Sequence, residues 1–125
     1  ARVLEVMNFA VNTLHGQGFA RLFTTEKFTA NRADHEAVRA QGRTIVAEGF
    51  ALVDVLLAGR QYALEHFTIA DAALFYVEFW ADRIGLPLPE HCRNHYRGLL
   101  SRPAVRQVLQ EEGYGAALRE PAVNA

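Results

Sequence analysis

A long apolar segment between residues 69 and 84 limits the possible folds of this chain more than any other feature. Thr68 stands directly before it and Asp71 follows three residues later, the spacing of a capping box, in which both side chains satisfy backbone N–H groups that a helix start leaves unpaired. Gly85 and the prolines of GLPLP end the segment. Because an unpaired buried polar group costs about 1–3 kcal/mol, the motif predicts a helix that begins inside the protein. Asp71 is therefore interpreted as structural.

Four further helices are predicted from helical periodicity and from helix start and stop signals. They run from Arg2 to Phe23, from a cap at Asn31 or Asp34 to Ala58 before Gly59, from Pro89 or Glu90 to Ser101, and from Pro103 to Gly113. In the first of them the residues that follow the helical period are Val3, Met7, Ala10, Val11 and Leu14. The glycines at positions 16 and 18 predict a bend or a close approach there. No segment alternates with period two over strand length, so the predicted fold class is all-α. We expect one domain over residues 1–125 that forms a bundle of about five helices. The tail at 114–125 is expected to fray.

Composition and charge exclude several classes of protein. The 125 residues carry a formal net charge of −1, which gives no electrostatic footprint for nucleic acid or for an acidic membrane. Cys92 is the single cysteine, so no internal disulfide forms and a reducing, cytoplasmic location is expected. The chain begins without Met and already inside a helical pattern, which suggests a piece of a longer polypeptide.

The order of these elements resembles a known family. A capping box at Thr68 and Asp71, a buried helix and then RPAV on a short terminal helix are similar to the C-terminal helical domain of glutathione transferases. The stretch NFAVNTLHGQGFARLF is similar to the first helix of that domain in the bacterial beta-class branch, in which an Asn seven residues before a His faces the glutathione site. Asn8 and His15 match those positions, and Trp80 matches a tryptophan twelve residues after the capping Thr. The chain departs from the beta-class pattern by an extra residue in HGQGF, and by Thr13 and Gly16.

The resemblance implies a function and a set of site residues. It implies a transferase that conjugates the glutathione thiolate to small electrophiles, usually as a homodimer, with an N-terminal thioredoxin-like domain that supplies most glutathione contacts. Glutathione is then a co-substrate, and no metal, nucleic acid or membrane partner is implied. Asn8 and His15 would bind glutathione, and His15 would be the catalytic residue, because imidazole donates or accepts a proton near neutral pH. Phe19 and Trp80 would form apolar walls for the electrophile. Asn8 and His15, seven residues apart, are expected on one helix face.

Two other interpretations stay open. The stretch HCRNH places His91 and His95 one turn apart beside Cys92, a spacing that suits a metal site at a position expected to be exposed. A third ligand is not evident, so metal binding is the weaker hypothesis. The alternative function is a non-catalytic module of the same fold that mediates protein contacts.

Overall fold

The computed structural model describes residues 1–119, and every regular element in that range is helical. In chain order these are α1 (Arg2–Asn8), a π-helical segment (Phe9–Phe19), α2 (Ala20–Phe23), α3 (His35–Leu57), α4 (Ile69–Arg83), α5 (Glu90–Leu100), α6 (Pro103–Glu111) and α7 (Ala116–Arg119). Short 3₁₀ turns at Thr25–Lys27 and Arg32–Asp34 lie between α2 and α3. The all-α prediction is confirmed. The five predicted helices are also confirmed, because the first of them corresponds to α1, the π-helical segment and α2, which follow one another without a break. Residues 120–125 of the tail that was predicted to fray lie outside the described residues.

The first helix changes its winding along its length. From Phe9 to Phe19 its backbone N–H groups bond five residues back instead of four, so each turn contains more residues than an α-helical turn. Buried residues recur at every fourth position along it, at Val6, Ala10, Leu14 and Gly18, and Phe19 beside Gly18 is buried as well. Val11, which the α-helical period places inside, is half exposed. The disturbance predicted at residues 16–18 lies within this altered winding, which already starts at Phe9.

Glycines bring the first helix and α3 unusually close together. A Cβ atom added at Gly18 would lie 2.6 Å from Cγ2 of Val46, and one added at Gly42 would lie 3.0 Å from the carbonyl oxygen of Gly18. A Cβ atom at Gly49 would overlap the side chain of Leu14. The close approach predicted for the glycine-containing segment is thus confirmed, and its partner is α3.

The core lies between the first helix, α3, α4 and α5. α4 contributes its buried apolar stripe from the centre of the bundle, as its composition predicted, with Ala70, Leu74, Val77 and Ala81 all at most 1% exposed. The helices around it contribute the largest side chains of the core: Leu14, Phe19, Phe50, Leu57, Tyr96 and Leu99. Within residues 1–119, no helix is both long and apolar enough to cross a membrane.

Helix ends are fixed by glycine and by one long-range cap. Gly59 and Gly85 have φ angles of 70° and 75° just after α3 and α4, a conformation that glycine adopts without steric cost. α5 has no capping side chain of its own; instead Oδ1 of Asp54, on α3, accepts hydrogen bonds from the backbone N–H groups of His91 at 2.7 Å and Cys92 at 3.2 Å. A carboxylate in the last turn of one helix therefore positions the start of another.

Candidate functional site

Four ring side chains from the first helix and α4 form a partly exposed patch, here called the aromatic surface: His15, Phe23, Tyr76 and Trp80. The ring centroids of His15 and Tyr76 are 5.5 Å apart, and those of Tyr76 and Trp80 are 6.2 Å apart at an interplanar angle of 89°. Phe23 packs on the other side of Trp80, with 5.3 Å between centroids. Tyr76 is 48% and Phe23 45% exposed, so parts of these two rings are accessible at the surface of the domain.

The chemistry of the aromatic surface is that of an apolar wall with a polar end. Exposed ring faces bind planar or apolar ligands through contact area and offset or edge-to-face packing. The imidazole of His15 lies at the margin of this wall, where its ring nitrogens can donate a hydrogen bond to an anion or accept one from a donor. Two residues predicted separately, His15 and Trp80, are thus brought together through Tyr76, which the sequence did not single out.

Asn8 lies elsewhere. It lines a cavity of about 360 Å³ between α1 and α3, together with Val6 and Leu52, and its side chain accepts a hydrogen bond from Asn12. A second cavity of about 340 Å³, lined by Thr13 and Leu52 among others, adjoins it along α3. His15 faces α4 while Asn8 faces α3, so the shared helix face expected for the pair is wrong. The expectation assumed α-helical spacing, whereas most of the chain between the two residues winds as a π-helix.

Phe19 lies beneath the aromatic surface and contributes nothing to it directly. Its side chain is 0% exposed, stacked on Phe23 at 5.7 Å and edge-on to Phe50 at 6.3 Å. The prediction that Phe19 forms an acceptor wall is therefore corrected: the ring supports Phe23 from the core. Trp80 is half-buried, in contact with Phe79 as well as with Tyr76 and Phe23.

The capping box is present at the start of α4. Oγ1 of Thr68 accepts a hydrogen bond from the backbone N–H of Ala70 at 3.2 Å, and Oδ2 of Asp71 accepts one from the N–H of Thr68 at 3.0 Å. The other carboxylate oxygen of Asp71 accepts a hydrogen bond from the N–H of Ala63 at 2.9 Å, in the loop before α4. Asp71 therefore fixes both the helix start and the loop that leads to it.

A buried imidazole–carboxylate cluster, formed by Asp71, Glu78 and His95, joins α4 to α5. Nε2 of His95 lies 2.9 Å from Oδ1 of Asp71, and Nδ1 lies 2.8 Å from Oε1 of Glu78. All three side chains are 0% exposed. Glu78 and the role of His95 were not predicted from the sequence, although one signal was available. Glu78 is seven residues from Asp71 and so on the same face of a largely apolar helix.

Burial and hydrogen bonding compete in setting the charges of this cluster. Burial alone would lower the pKa of His95, but the two carboxylates that bind its ring raise that pKa to about 9. Burial raises the pKa of Glu78 to about 7, against the lowering effect of His95. Burial also opposes ionisation of Asp71, but hydrogen bonds from His95, Ala63 and Thr68 outweigh it, and its pKa is lowered. The imidazolium and the Asp71 carboxylate are thus both charged at neutral pH, where Glu78 lies close to its own pKa.

The metal hypothesis for HCRNH does not survive this geometry. The stretch was expected to be exposed, yet Cys92 is 0% and His95 3% exposed. Both ring nitrogens of His95 are bound to carboxylates, and Sγ of Cys92 lies 3.5 Å from the carbonyl oxygen of Phe50, to which it donates. Burial raises the pKa of the Cys92 thiol, which disfavours the thiolate that a metal requires. In the part of the chain that the structure describes, no group of three or more His, Cys, Asp or Glu residues is arranged to hold a metal ion.

Comparison with protein families agrees with the fold. Residues 36–111, more than half of the chain, match the model of the glutathione S-transferase C-terminal domain. The chain belongs to this family. The match covers α3 to α6 of the glutathione S-transferase C-terminal domain, including Thr68, Asp71 and Trp80, but not the first helix, on which Asn8 and His15 lie. Searches of curated proteins and of solved structures gave no match.

Proposed function

We propose that this glutathione S-transferase C-terminal domain forms one wall of the active site of a glutathione transferase, in which the aromatic surface receives the electrophilic substrate. The observation that carries the proposal is the contact between the His15 and Tyr76 rings, because it puts a titratable group at the edge of an exposed apolar wall. A helical scaffold has no need of an imidazole at such a place.

The reaction requires a thiolate beside an electrophilic carbon. The glutathione sulfur forms the new bond to that carbon, the leaving group departs with its electron pair, and the thiol proton goes to a base. Acting on the sulfur from the margin of the aromatic surface, His15 is the hydrogen-bond donor that favours the thiolate or the base that takes its proton. Tyr76 and Trp80 supply the ring faces on which an apolar electrophile packs.

The remaining parts of this active site belong to a partner domain. We assign most glutathione contacts, and the Cys, Ser or Tyr that steers the thiol, to a thioredoxin-like domain that precedes this one in the full-length protein. Asn8, on the α3 side of the first helix, stays a predicted glutathione ligand. The likeness of the first helix to the beta-class branch also stays a prediction.

A homodimer contact is proposed on the side of Asn8. The first helix and α3 expose large apolar side chains, with Leu4 68%, Leu52 63% and Val55 75% exposed, and the two cavities lie between the same helices. Exposed apolar groups of this extent on paired helices are typical of protein interfaces. The same surface is the observation that favours the alternative function, a non-catalytic module that binds another protein.

Activity of the full-length protein decides between the two functions. Conjugation of glutathione to a nitroaryl halide is measured by absorbance, while the fluorescence of Trp80, the single tryptophan of the chain, is followed during titration with S-hexylglutathione. If the full-length sequence adds further tryptophans, a Trp80→Phe variant isolates the signal of Trp80. The transferase function predicts turnover together with saturable quenching of Trp80. Folded protein with neither turnover nor quenching would support the interaction module instead.

A further inference from the structure

A small cavity separates the loop after α3 from α5, on a side of the domain that the proposed transferase reaction does not use. Its volume is about 130 Å³, and Arg60, Gln61, Tyr62, Asn94, His95 and Gly98 line it. At about 30 Å³ of liquid volume per water molecule, the cavity holds roughly four waters or one small oxyanion. Among the residues that the structure describes, no carboxylate-bearing side chain lines it, and the exposed Arg60 places a guanidinium in its lining.

The hydroxyl of Tyr62 indicates what kind of ligand this cavity takes. Nε2 of Gln61 donates to that oxygen at 3.3 Å, and Nη1 of Arg102 donates to it at 3.2 Å. A phenol oxygen accepts at most two such bonds, so its own hydrogen is left to donate to an acceptor. Arg102 is held in place for this by stacking over the Phe67 ring, 4.1 Å from its centroid. The hydroxyl is therefore a donor, polarised by a cation.

Two further features of the cavity lining also favour a ligand that accepts hydrogen bonds. Nη1 of Arg60 donates to the carbonyl of Ala63 at 3.3 Å, which anchors the guanidinium while its other N–H groups stay available as donors. Gly98 lies within α5 although glycine costs about 1 kcal/mol there relative to alanine. A Cβ atom added at Gly98 meets nothing within 4 Å, so no close packing requires the glycine. It leaves open space on the helix side of the cavity.

We infer that this cavity is a binding site for a small oxyanion of phosphate size, held by Arg60 and the Tyr62 hydroxyl with the amide of Asn94. Guanidinium and hydroxyl donors are the groups that bind phosphate and carboxylate oxygens in proteins. The carboxylates of Asp71 and Glu78 bind the ring nitrogens of His95 behind the cavity wall, so they do not compete for these donors.

Titration of the 125-residue chain with sodium phosphate tests this site. Sodium chloride keeps the ionic strength constant as the phosphate concentration changes, and the pH is held fixed. Two quantities are measured: the midpoint temperature of thermal unfolding, and the NMR chemical shifts of the Gly98 N–H and the Asn94 side-chain amide. The expected result is a saturable rise in unfolding temperature, because a ligand of the native state stabilises it, with saturable shifts at both groups. Parallel titrations with sulfate and acetate distinguish a tetrahedral oxyanion from a carboxylate, and binding of either supports the site.

Three variants make the test specific. Arg60→Gln is expected to weaken phosphate binding about tenfold or more, since it removes a charge-assisted hydrogen bond. Gly98→Leu is expected to abolish binding by filling the cavity while all charges stay in place. Arg106→Gln, which removes an exposed charge from α6, is the matched control and is expected to bind like the parent chain. No saturable change in the parent chain, or equal weakening by Arg60→Gln and Arg106→Gln, would overturn the inference.

Discussion

Nε2 of His95 and Oδ1 of Asp71 lie 2.9 Å apart with no solvent access to either side chain. The same carboxylate of Asp71 caps α4 and holds the N–H of Ala63, so one residue links the loop after α3, the start of α4 and the middle of α5. A buried ion pair of this kind adds little stability compared with apolar residues of the same shape, but loss of one member leaves a buried polar group without its partner. The cluster therefore makes the packing of α4 on α5 sensitive to single substitutions.

Substitution of Asp71 is the most direct test of this linkage. Asp71→Ala removes the cap of α4, the partner of the Ala63 N–H and one of the two carboxylate partners of His95, and is expected to destabilise the domain by about 3–5 kcal/mol. Thr68→Ala removes the hydroxyl half of the cap alone and is expected to cost about 0.5–2 kcal/mol. Urea unfolding of the purified chain measures both values.

Asp34 provides the matched control for that experiment. It is the N-cap residue of α3 but makes no side-chain cap hydrogen bond, and it is exposed. Asp34→Ala is expected to change the unfolding free energy by less than about 0.5 kcal/mol. A loss for Asp71→Ala no larger than that for Asp34→Ala would refute the role of the buried cluster.

The pH dependence of stability follows from the raised pKa of His95. The native state keeps the imidazole proton until about pH 9, whereas the unfolded chain releases it near pH 6.5. The contribution of His95 to the free energy of unfolding is therefore complete below about pH 6.5 and is lost as the pH rises towards 9. The pKa of Glu78 is raised from 4.5 to about 7, so Glu78 also lowers the unfolding free energy as the pH rises between those values. The pKa of Asp71 is lowered, so its stabilising contribution is lost only as the pH falls below about 3.8.

Chemical denaturation between pH 6.5 and 9 checks this sign. The parent chain is expected to lose unfolding free energy steadily across the window, and a His95→Gln variant, less stable at every pH, is expected to show a much flatter profile. A parent profile that stays level or rises in this window would mean that His95 is neutral in the native state.

A pair of glycines tests the close approach of the first helix to α3. A Cβ atom at Gly42 would lie 2.9 Å from Cβ of Arg21 and 3.0 Å from the backbone oxygen of Gly18, neither of which moves freely. Gly42→Ala is therefore expected to destabilise by about 1–3 kcal/mol, despite the better helix propensity of alanine. Gly98→Ala, with open space around it, is expected to stabilise by up to about 1 kcal/mol. If thermal unfolding gives both variants the same sign, the helices are not packed as described.

The helix boundaries were predictable because local chemistry determines them. Thr68 and Asp71 start α4 through their own side chains, and Gly59 and Gly85 follow helix ends in a conformation that their lack of a side chain permits. These signals depend on neighbours within a few residues of sequence. The fold class followed from them, together with the absence of alternating segments.

The arrangement of the site residues was less predictable because it depends on packing between helices. The burial of His95 requires that α5 turn this face towards α4, which nothing within HCRNH reveals. The π-helical winding of residues 9–19 separates Asn8 from His15, which α-helical spacing would align. Tyr76 enters the aromatic surface only because α4 packs beside the first helix at this point.

Kinetics of a His15→Ala variant test the central claim, that this imidazole acts on the glutathione sulfur at the edge of the aromatic surface. In the full-length protein the substitution is expected to lower kcat/KM for a nitroaryl halide about 10- to 100-fold, or roughly 1.4–2.7 kcal/mol of transition-state stabilisation. The pKa of the bound glutathione thiol is expected to rise, because a donor to the thiolate is lost. Asn8→Ala, on the other side of the helix, is expected to leave that pKa unchanged and to raise KM for glutathione. A His15→Ala protein with the kcat/KM and thiol pKa of the parent would contradict the account.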